Sequence, residues 1–143
     1  MKVAIGCDHG GYELKELVKA HLEEKGFTVI DKGCYDKKSC DYPEYGRMAA
    51  EAVANGECEK GIVICTTGIG ISMVANKVAG VRCALCTDAT MARLTREHND
   101  ANVLAMGAGI IGTNLAMDIV DTFFSTDFSG EEKHARRVSK IEN

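Results

Sequence analysis

The sequence contains no long run of apolar residues. No segment of its 143 residues approaches the length of a membrane span, and the first residues lead into a strand pattern without the apolar core of a signal peptide. We therefore expect a protein without membrane segments. Its seven cysteines are an odd number in a chain that shows no export signal, which fits a reducing compartment. The expected location is the cytoplasm.

The chain also lacks an excess of basic residues. Its 17 Lys and Arg are outnumbered by 21 Asp and Glu, which gives a formal net charge of −4. This balance argues against a general nucleic-acid-binding protein, and the absence of a long basic run argues against binding to a membrane surface. Any phosphate site must therefore be local.

No low-complexity tract or linker interrupts the sequence. A chain of this length can bury a hydrophobic core on its own. Its hydrophobic fraction of 45% and charged fraction of 27% are close to those of an average soluble globular protein. We expect a single domain over residues 1–143.

The motifs of common cofactor sites are absent as well. There is no Walker motif, and Gly68-x-Gly70 is followed by Met73 where a dinucleotide-binding loop requires a third glycine. Cys83 and Cys86 have the spacing of a redox pair, but residues three apart in a strand point to opposite faces. None of the cysteines shows zinc-ligand spacing with a histidine. We expect neither a metal ion nor a cofactor.

What the sequence does contain is a strand, a glycine turn and a helix in direct succession over residues 61–72. The β-branched residues 62–64 are typical of a strand covered on both faces. Gly68 and Gly70 allow a sharp turn. The helix predicted from 69 to about 78 directs unpaired N–H groups and the positive end of its dipole toward that turn. This arrangement favours the binding of an anion.

Short strands alternate with helices along the whole chain. This alternation predicts an α/β fold of three layers, with a five-stranded parallel sheet in the Rossmann-like or flavodoxin-like order 2-1-3-4-5. The switch point of that order lies between strands 1 and 3, so loops 7–11 and 65–70 should form the ligand crevice. Strands are predicted at residues 2–6, 27–30, 62–64, 81–86 and 102–106, and helices at 12–25, 69–78, 88–97, 113–124 and 131–141, with one more helix ending at Ala54.

Cys65 lies at the carboxyl end of the third strand, at the rim of this crevice. A cysteine that ends a strand is most often a small buried hydrophobic residue. Next to a helix N-terminus, however, its thiol should ionise more readily and serve as a base or nucleophile. Cys65 is therefore the first candidate for catalysis.

Other polar residues allow two interpretations. Asp8 and His9 follow the first strand and could simply cap the next helix, but both side chains suit acid–base chemistry and contact with an anion, which we favour. His98 and Asn99 close a helix, where a histidine often only complements the helix dipole, and from spacing alone this interpretation is at least as strong. His21 is predicted to lie on a solvated helix face without a function.

The last helix carries a second cluster of charge. Lys133 and Arg137 are four residues apart and therefore lie on one helical face. Such a pair commonly belongs to a solvated face, but like charges at this spacing repel unless an anion lies between them. The alternative is that the two cations bind the phosphate of a substrate.

Five blocks of this sequence, taken in order, resemble the ribose-5-phosphate isomerase B family, which also includes galactose- and allose-phosphate isomerases. The resemblance covers essentially the whole chain. The blocks are residues 5–11, 41–43, 65–72 and 97–102 and the basic C-terminal helix.

The resemblance implies an aldose–ketose isomerase that interconverts ribose 5-phosphate and ribulose 5-phosphate through an enediolate, without a metal or cofactor. This reaction belongs to the pentose phosphate pathway of carbohydrate metabolism. The partner molecule is then a small sugar phosphate. The family works as a homodimer, in some members paired into a homotetramer, with each active site between two subunits.

The resemblance also implies roles for individual residues. Cys65 matches the catalytic base, and Ile69 stands where members without this cysteine carry a glutamate. His98 matches a ring-opening histidine from the neighbouring subunit, with Asp8 as its partner. The other matched positions are His9, Lys133 and Arg137 for the phosphate, Thr67 and Asn99 for the sugar oxygens, Tyr42 for the sugar pocket, and the loop Thr66, Gly68, Ile69 and Gly70 for the enediolate oxygen.

Three positions depart from the family pattern. Thr66 stands where the family usually has glycine, Lys133 replaces a usual arginine, and Gly109 occupies the position of a phosphate-contacting arginine. These departures concern phosphate affinity and substrate size rather than proton transfer. The alternatives are a hexose 6-phosphate isomerase with the same chemistry, a non-catalytic binder of phosphosugars or nucleotides, and a redox protein that uses Cys65.

Overall fold

Five strands form the centre of the structure, a computed structural model that describes residues 1–143. A 3₁₀ turn at His9–Gly11 follows the first strand. The strands are β1 (Lys2–Cys7), β2 (Thr28–Asp31), β3 (Lys60–Cys65), β4 (Cys83–Leu85) and β5 (Val103–Gly107), and the helices are α1 (Tyr12–Glu24), α2 (Tyr42–Ala54), α3 (Ile69–Ala75), α4 (Ala89–Asn99), α5 (Thr113–Ser125) and α6 (Glu132–Ile141).

The strand order is β2-β1-β3-β5-β4, so the predicted order 2-1-3-4-5 is wrong for the last two strands. All five residues of β5 are buried, whereas β4 has three residues, all half-buried. The strand with continuous buried side chains takes the interior position beside β3, and the short strand forms the edge. The α/β class and the five-stranded parallel sheet are confirmed.

Helices cover both faces of the sheet. Side chains of α1, α4 and α5 pack into one buried cluster, and side chains of α2 and α3 pack into another on the opposite face. The second helical layer lies close to the sheet because α2 presents alanines to it. A Cβ atom added to Gly6 would lie 2.7 Å from the carbonyl oxygen of Tyr45 in α2. The predicted three-layer arrangement is present.

Two elements are shorter than the sequence predicted, for reasons that involve distant residues. α3 ends at Ala75 because the next residue, Asn76, turns its side-chain amide toward β4, where it donates to the carbonyl of Cys83 (2.9 Å) and accepts from its N–H (2.8 Å). β4 begins only at Cys83 because the N–H of Arg82 donates to the side chain of Asn102 (2.8 Å) rather than to a strand.

The sheet brings the two glycine-rich loops together, as the switch-point argument predicted. β1 and β3 are direct neighbours, with Cys7 opposite Ile64, so their carboxyl ends lie side by side. The loop that follows β5 joins them, because β5 rather than β4 is adjacent to β3. None of the helices combines the length and apolar character that crossing a membrane requires.

Candidate active site

A cavity of about 400 Å³ opens at the carboxyl edge of the sheet, between the loops after β1 and β3 and the start of α2. It contains the thiol, carboxylate and hydroxyl groups that the sequence singled out. The residues that line it are Asp8, Tyr42, Cys65, Thr66, Thr67, Ile69 and Gly70.

Cys65 is buried to 5% exposure at the end of β3, yet it lines this cavity. The N–H of Gly68 donates a hydrogen bond to its Sγ atom, with a distance of 3.1 Å. This contact gives the sulfur a fixed backbone donor at the wall of the cavity. The geometry therefore supports Cys65 as a base or nucleophile.

Gly68 is required by the shape of the loop. Its φ of +77° lies in the left-handed region, and an added Cβ would lie 2.6 Å from Cδ1 of Leu85 and 2.7 Å from the backbone of Met106. Only glycine fits both constraints. Gly68 itself does not line the cavity, because its N–H is directed at Cys65.

Some N–H groups of the loop donate hydrogen bonds within the chain, and others have no acceptor there. The N–H of Ile69 donates to Oγ1 of Thr67 (3.1 Å), so it is occupied in the same way as that of Gly68. The N–H groups of Thr66, Thr67 and Gly70 have no acceptor within the chain. These three, rather than the whole loop 66–70, are the donors available to an oxygen of a ligand.

Asp8 caps the turn that follows β1, and it also lines the cavity. Its Oδ1 accepts a hydrogen bond from the N–H of Gly11 (3.1 Å), which caps the 3₁₀ turn. The residue is only 7% exposed and lines the cavity. Capping fixes the carboxylate in place, so the group can act on a bound molecule without reorganising first.

Tyr42 lines the cavity, whereas His9 directly follows Asp8 but is not part of the lining. The N–H of Cys40 donates to Nδ1 of His9 (3.2 Å), which places the proton of the neutral ring on Nε2. No sequence pattern indicates this contact, since 31 residues separate the partners. Tyr42 begins α2, and its ring lies so close to Gly70 that an added Cβ there would be 2.7 Å from the ring.

Four predicted site residues lie away from this cavity. His98 and Asn99 end α4, Lys133 and Arg137 lie on α6, and none of them lines the cavity at Cys65. A single chain therefore does not bring the two halves of the predicted site together.

Arg82 is a residue of this second region that the sequence did not reveal. Its guanidinium donates to the carbonyls of Asn99 (3.0 Å) and Asp100 (2.7 Å) and pairs with Glu142 (2.6 Å). It thereby ties the end of α4, where His98 and Asn99 lie, to the end of α6. Arg82 lies in the segment predicted as a strand, and no local sequence pattern indicates that it joins α4 to α6.

Of the six cysteines other than Cys65, four are buried, and Cys40 and Cys83 are half-buried. All seven are free. Cys83 and Cys86 pack on opposite faces of the sheet, as the strand geometry predicted, and burial raises the pKa of the Cys86 thiol to about 12. Burial and the nearby Cys34 thiol also raise the pKa of Cys7. No group of three or more His, Cys, Asp or Glu side chains is close enough together to hold a metal ion.

Comparison with known proteins identifies the family. A family model described as Ribose/Galactose Isomerase matches residues 3–141. The chain belongs to this family. Ribose-5-phosphate isomerase B of Escherichia coli (strain K12) is 48% identical over 140 residues, which are 98% of this chain and 93% of that protein.

Further members of the Ribose/Galactose Isomerase family resemble the chain in sequence and structure. The solved structure of Clostridium thermocellum ribose-5-phosphate isomerase B has a TM-score of 0.98 and 54% identity, and the match covers 99% of this chain and 95% of that one. Galactose-6-phosphate isomerase subunit LacB of Clostridium acetobutylicum is 41% identical over 99% of this chain and 82% of that protein.

Two of the three departures from the family pattern meet in space. Thr66 lies between the loops after β1 and β5, where its Oγ1 occupies the place of a Cβ at Gly10 and its Cγ2 lies 2.9 Å from the place of a Cβ at Gly109. The N–H of Gly109 also donates to the carbonyl of Thr66 (2.8 Å). In this member of the family, the threonine therefore fits only because both neighbours are glycine.

Proposed function

We propose that this chain is a cytoplasmic aldose–ketose isomerase, one domain over residues 1–143, that interconverts ribose 5-phosphate and ribulose 5-phosphate in the pentose phosphate pathway. The observation that carries the proposal is the buried Cys65 thiol, which faces the cavity with an N–H donor 3.1 Å from its sulfur. Similarity to proteins named ribose-5-phosphate isomerase B, at 48% and 54% identity, supports this choice of substrate.

Proton transfer is the role of Cys65. As a thiolate it removes the proton from C2 of the open-chain aldose and, as the thiol, returns a proton to C1 of the enediolate, while the proton of the C2 hydroxyl moves to O1 to give the ketose. The N–H of Gly68 stabilises the sulfur while it is charged. The free N–H groups of Thr66 and Thr67 are suited to hold the enediolate oxygen, where negative charge develops.

Ring opening precedes this step, because ribose 5-phosphate is mostly a closed furanose. Asp8 at the cavity wall and His98 from a second copy of the chain form the acid–base pair for this opening. Thr67 and Asn99 hold the sugar hydroxyls, and Tyr42 lines the sugar pocket.

The phosphate is bound by His9, Lys133 and Arg137. Lys133 and Arg137 are exposed on one face of α6, and the nearest carboxylate to Lys133 is Glu131 at 3.7 Å. Binding energy from this remote group holds the reacting carbons over Cys65. A lysine binds the phosphate as a point charge, without the paired hydrogen bonds of an arginine.

We also propose that the active protein is a homodimer or a homotetramer with shared sites. His98, Asn99, Lys133 and Arg137 do not line their own chain's cavity, so a second copy must supply them. Large apolar side chains next to the cavity support such a contact, since Ile69 is 49% exposed and Met73 is 62% exposed. Exposed apolar residues beside an incomplete site are typical of a subunit interface.

A hexose 6-phosphate is the second candidate substrate. The 41% identity to a galactose-6-phosphate isomerase subunit favours it. Thr66 and Gly109 reshape the loop where the family pattern has glycine and arginine, and substrate length is the property that such a change would alter.

The test is isomerisation of ribose 5-phosphate, galactose 6-phosphate and allose 6-phosphate in excess chelator. We expect turnover of ribose 5-phosphate with the highest kcat/KM of the three. Faster turnover of a hexose phosphate would show that the protein is a hexose 6-phosphate isomerase instead. Thermal stabilisation by all three sugars with no turnover would contradict an enzyme and indicate a phosphosugar-binding protein.

A further inference from the structure

The imidazole rings of His98 and His134 stack within one chain. Their centroids are 4.3 Å apart and their planes differ by 13°. His98 lies in the last turn of α4 and His134 in the first turn of α6. The proposed active site assigns no role to His134, so the stack needs a separate explanation.

His134 is the one buried residue of α6. It is 8% exposed, whereas the helix otherwise shows exposed or half-buried side chains. The stack is thus the point at which α6 docks onto α4. Lys133 precedes His134 directly and Arg137 follows it by three residues. The contact that orients the ring of His98 therefore also sets the distance between that ring and both phosphate-binding cations.

The charges around His134 favour its neutral form. Burial lowers the pKa of His134, and the positive charges of His98, Lys133 and Arg137 lower it further, while Glu131 acts in the opposite direction. His98 is the titratable group that faces it from α4. Because two imidazolium rings in contact would repel, protonation of one ring disfavours protonation of the other.

We propose that His134 is a positioning residue for His98. Its ring holds the plane of the His98 imidazole at the angle needed for ring opening. The proposal rests on the proposed function, in which His98 opens the furanose ring. It adds a residue that touches neither the sugar nor the phosphate and acts through its neighbour.

Two substitutions separate stacking from simple packing. His134→Phe keeps a flat ring on His98 but removes the second titratable group, and His134→Leu removes the stack while keeping an apolar side chain. Arg136→Gln is the matched control on the same helix, since Arg136 is exposed and pairs only with Glu132 (3.1 Å). Urea unfolding of each variant measures its stability.

The first measurement is the NMR titration of the four histidines, which needs no substrate. We expect His98 to titrate at higher pH in His134→Phe than in the wild type, because a phenyl ring stabilises the imidazolium and does not compete for its proton. Arg136→Gln should leave the His98 titration unchanged. An unchanged His98 titration in His134→Phe would overturn the proposal, whatever the activity of the protein.

The second measurement is the isotope effect with ribose 5-phosphate deuterated at C2. In His134→Leu we expect kcat/KM to fall at least about tenfold, because a misplaced group is a poor catalyst. The isotope effect should fall toward one, because ring opening rather than proton transfer then limits the rate. His134→Phe and Arg136→Gln should keep the wild-type isotope effect.

Two results would contradict the proposal at this stage. Equal losses in His134→Leu and His134→Phe with a wild-type isotope effect would assign His134 a purely structural role. Wild-type kinetics in His134→Leu would show that His134 does not position His98. If His134→Leu does not fold, the His98 titration in His134→Phe still decides. A wild-type protein that does not turn over ribose 5-phosphate would instead contradict the proposed function, and the histidine titration would still test the stack.

Discussion

The N–H of Gly68 donates to the sulfur of Cys65 across a distance of 3.1 Å. This hydrogen bond joins the conformation of the loop to the chemistry of the thiol. It can form because Gly68 adopts a left-handed φ of +77°, which turns its N–H back toward the end of β3. The same residue therefore shapes the turn and stabilises the proposed base.

Replacing Gly68 by alanine should impair both stability and activity. Two effects destabilise this variant. Alanine is strained in the left-handed backbone, and its Cβ would lie 2.6–2.7 Å from Leu85 and Met106. We expect the free energy of unfolding to fall by at least about 2 kcal/mol. We also expect kcat to fall, because the loop must shift away from Cys65. Urea unfolding and steady-state kinetics measure the two effects.

Gly56→Ala is the control for the backbone effect. Gly56 has a φ of +85° but no atom within 4 Å of an added Cβ. Its substitution should cost about 1–2 kcal/mol from the backbone alone, with unchanged kinetics. Equal stability losses at positions 56 and 68 would show that the contacts of Gly68 with its neighbours do not matter.

A double-mutant cycle tests the packing of Thr66 against Gly10. Gly10→Ala places a methyl group where Oγ1 of Thr66 lies, so we expect it to destabilise the protein by about 1–3 kcal/mol. In a Thr66→Gly background the same substitution should cost little, because the space is then open. Thermal or urea unfolding of the four proteins gives the coupling free energy, which we expect to exceed about 0.5 kcal/mol. Additive effects would contradict the contact.

Stability should depend on pH through Asp121. Burial raises the pKa of the Asp121 carboxyl, but hydrogen bonds from Lys25 (2.9 Å) and His21 (2.7 Å) outweigh burial and hold the pKa below its usual range. His21 is therefore half-buried and engaged with α5, not on a solvated face as the helical pattern predicted. A lowered carboxyl pKa stabilises the fold above the unfolded value of about 4, and this contribution is lost as the pH falls through the folded value.

The variant that tests this linkage is Asp121→Asn. It should lose less than about 1 kcal/mol at pH 7, since the carboxylate is partly exposed. The unfolding curves of wild type and variant should converge as the pH falls below about 4. A stability difference that does not shrink as the pH falls below about 4 would show that packing, not charge, makes the contribution.

Arg82 should be more important for stability than its place at a sheet edge suggests. In Arg82→Leu the carbonyls of Asn99 and Asp100 lose their donors, and we expect a loss of about 1–3 kcal/mol. The control is Arg93→Gln, which removes an exposed pair with Glu97 (3.2 Å) and should cost less than about 0.5 kcal/mol. Similar losses for both variants in urea unfolding would contradict the role of Arg82 at the end of α4.

Local patterns predicted the strand, turn and helix around Cys65. The β-branched strand, the glycine turn and the following helix are encoded in consecutive residues, so their positions follow from the sequence. The adjacency of the loops after β1 and β3 follows from the topology of parallel sheets. The cavity accordingly contains Asp8, Thr66 and Thr67 beside Cys65.

The features that the sequence did not predict depend on contacts between distant residues. The exchange of β4 and β5 depends on which strand is buried on both faces, and the shortened α3 depends on Asn76 reaching Cys83. The stack of His98 on His134 joins two helices that are far apart in sequence. No periodicity or spacing encodes such pairs.

The central claim is that the Cys65 thiolate transfers the proton, and the most direct test is turnover of ribose 5-phosphate by Cys65→Ala and wild type in deuterium oxide with excess chelator. NMR follows both product formation and deuterium incorporation. We expect the substitution to lower kcat by about 10²- to 10⁴-fold while ribose 5-phosphate still raises the melting temperature. Wild-type turnover and deuterium incorporation in Cys65→Ala would contradict the account.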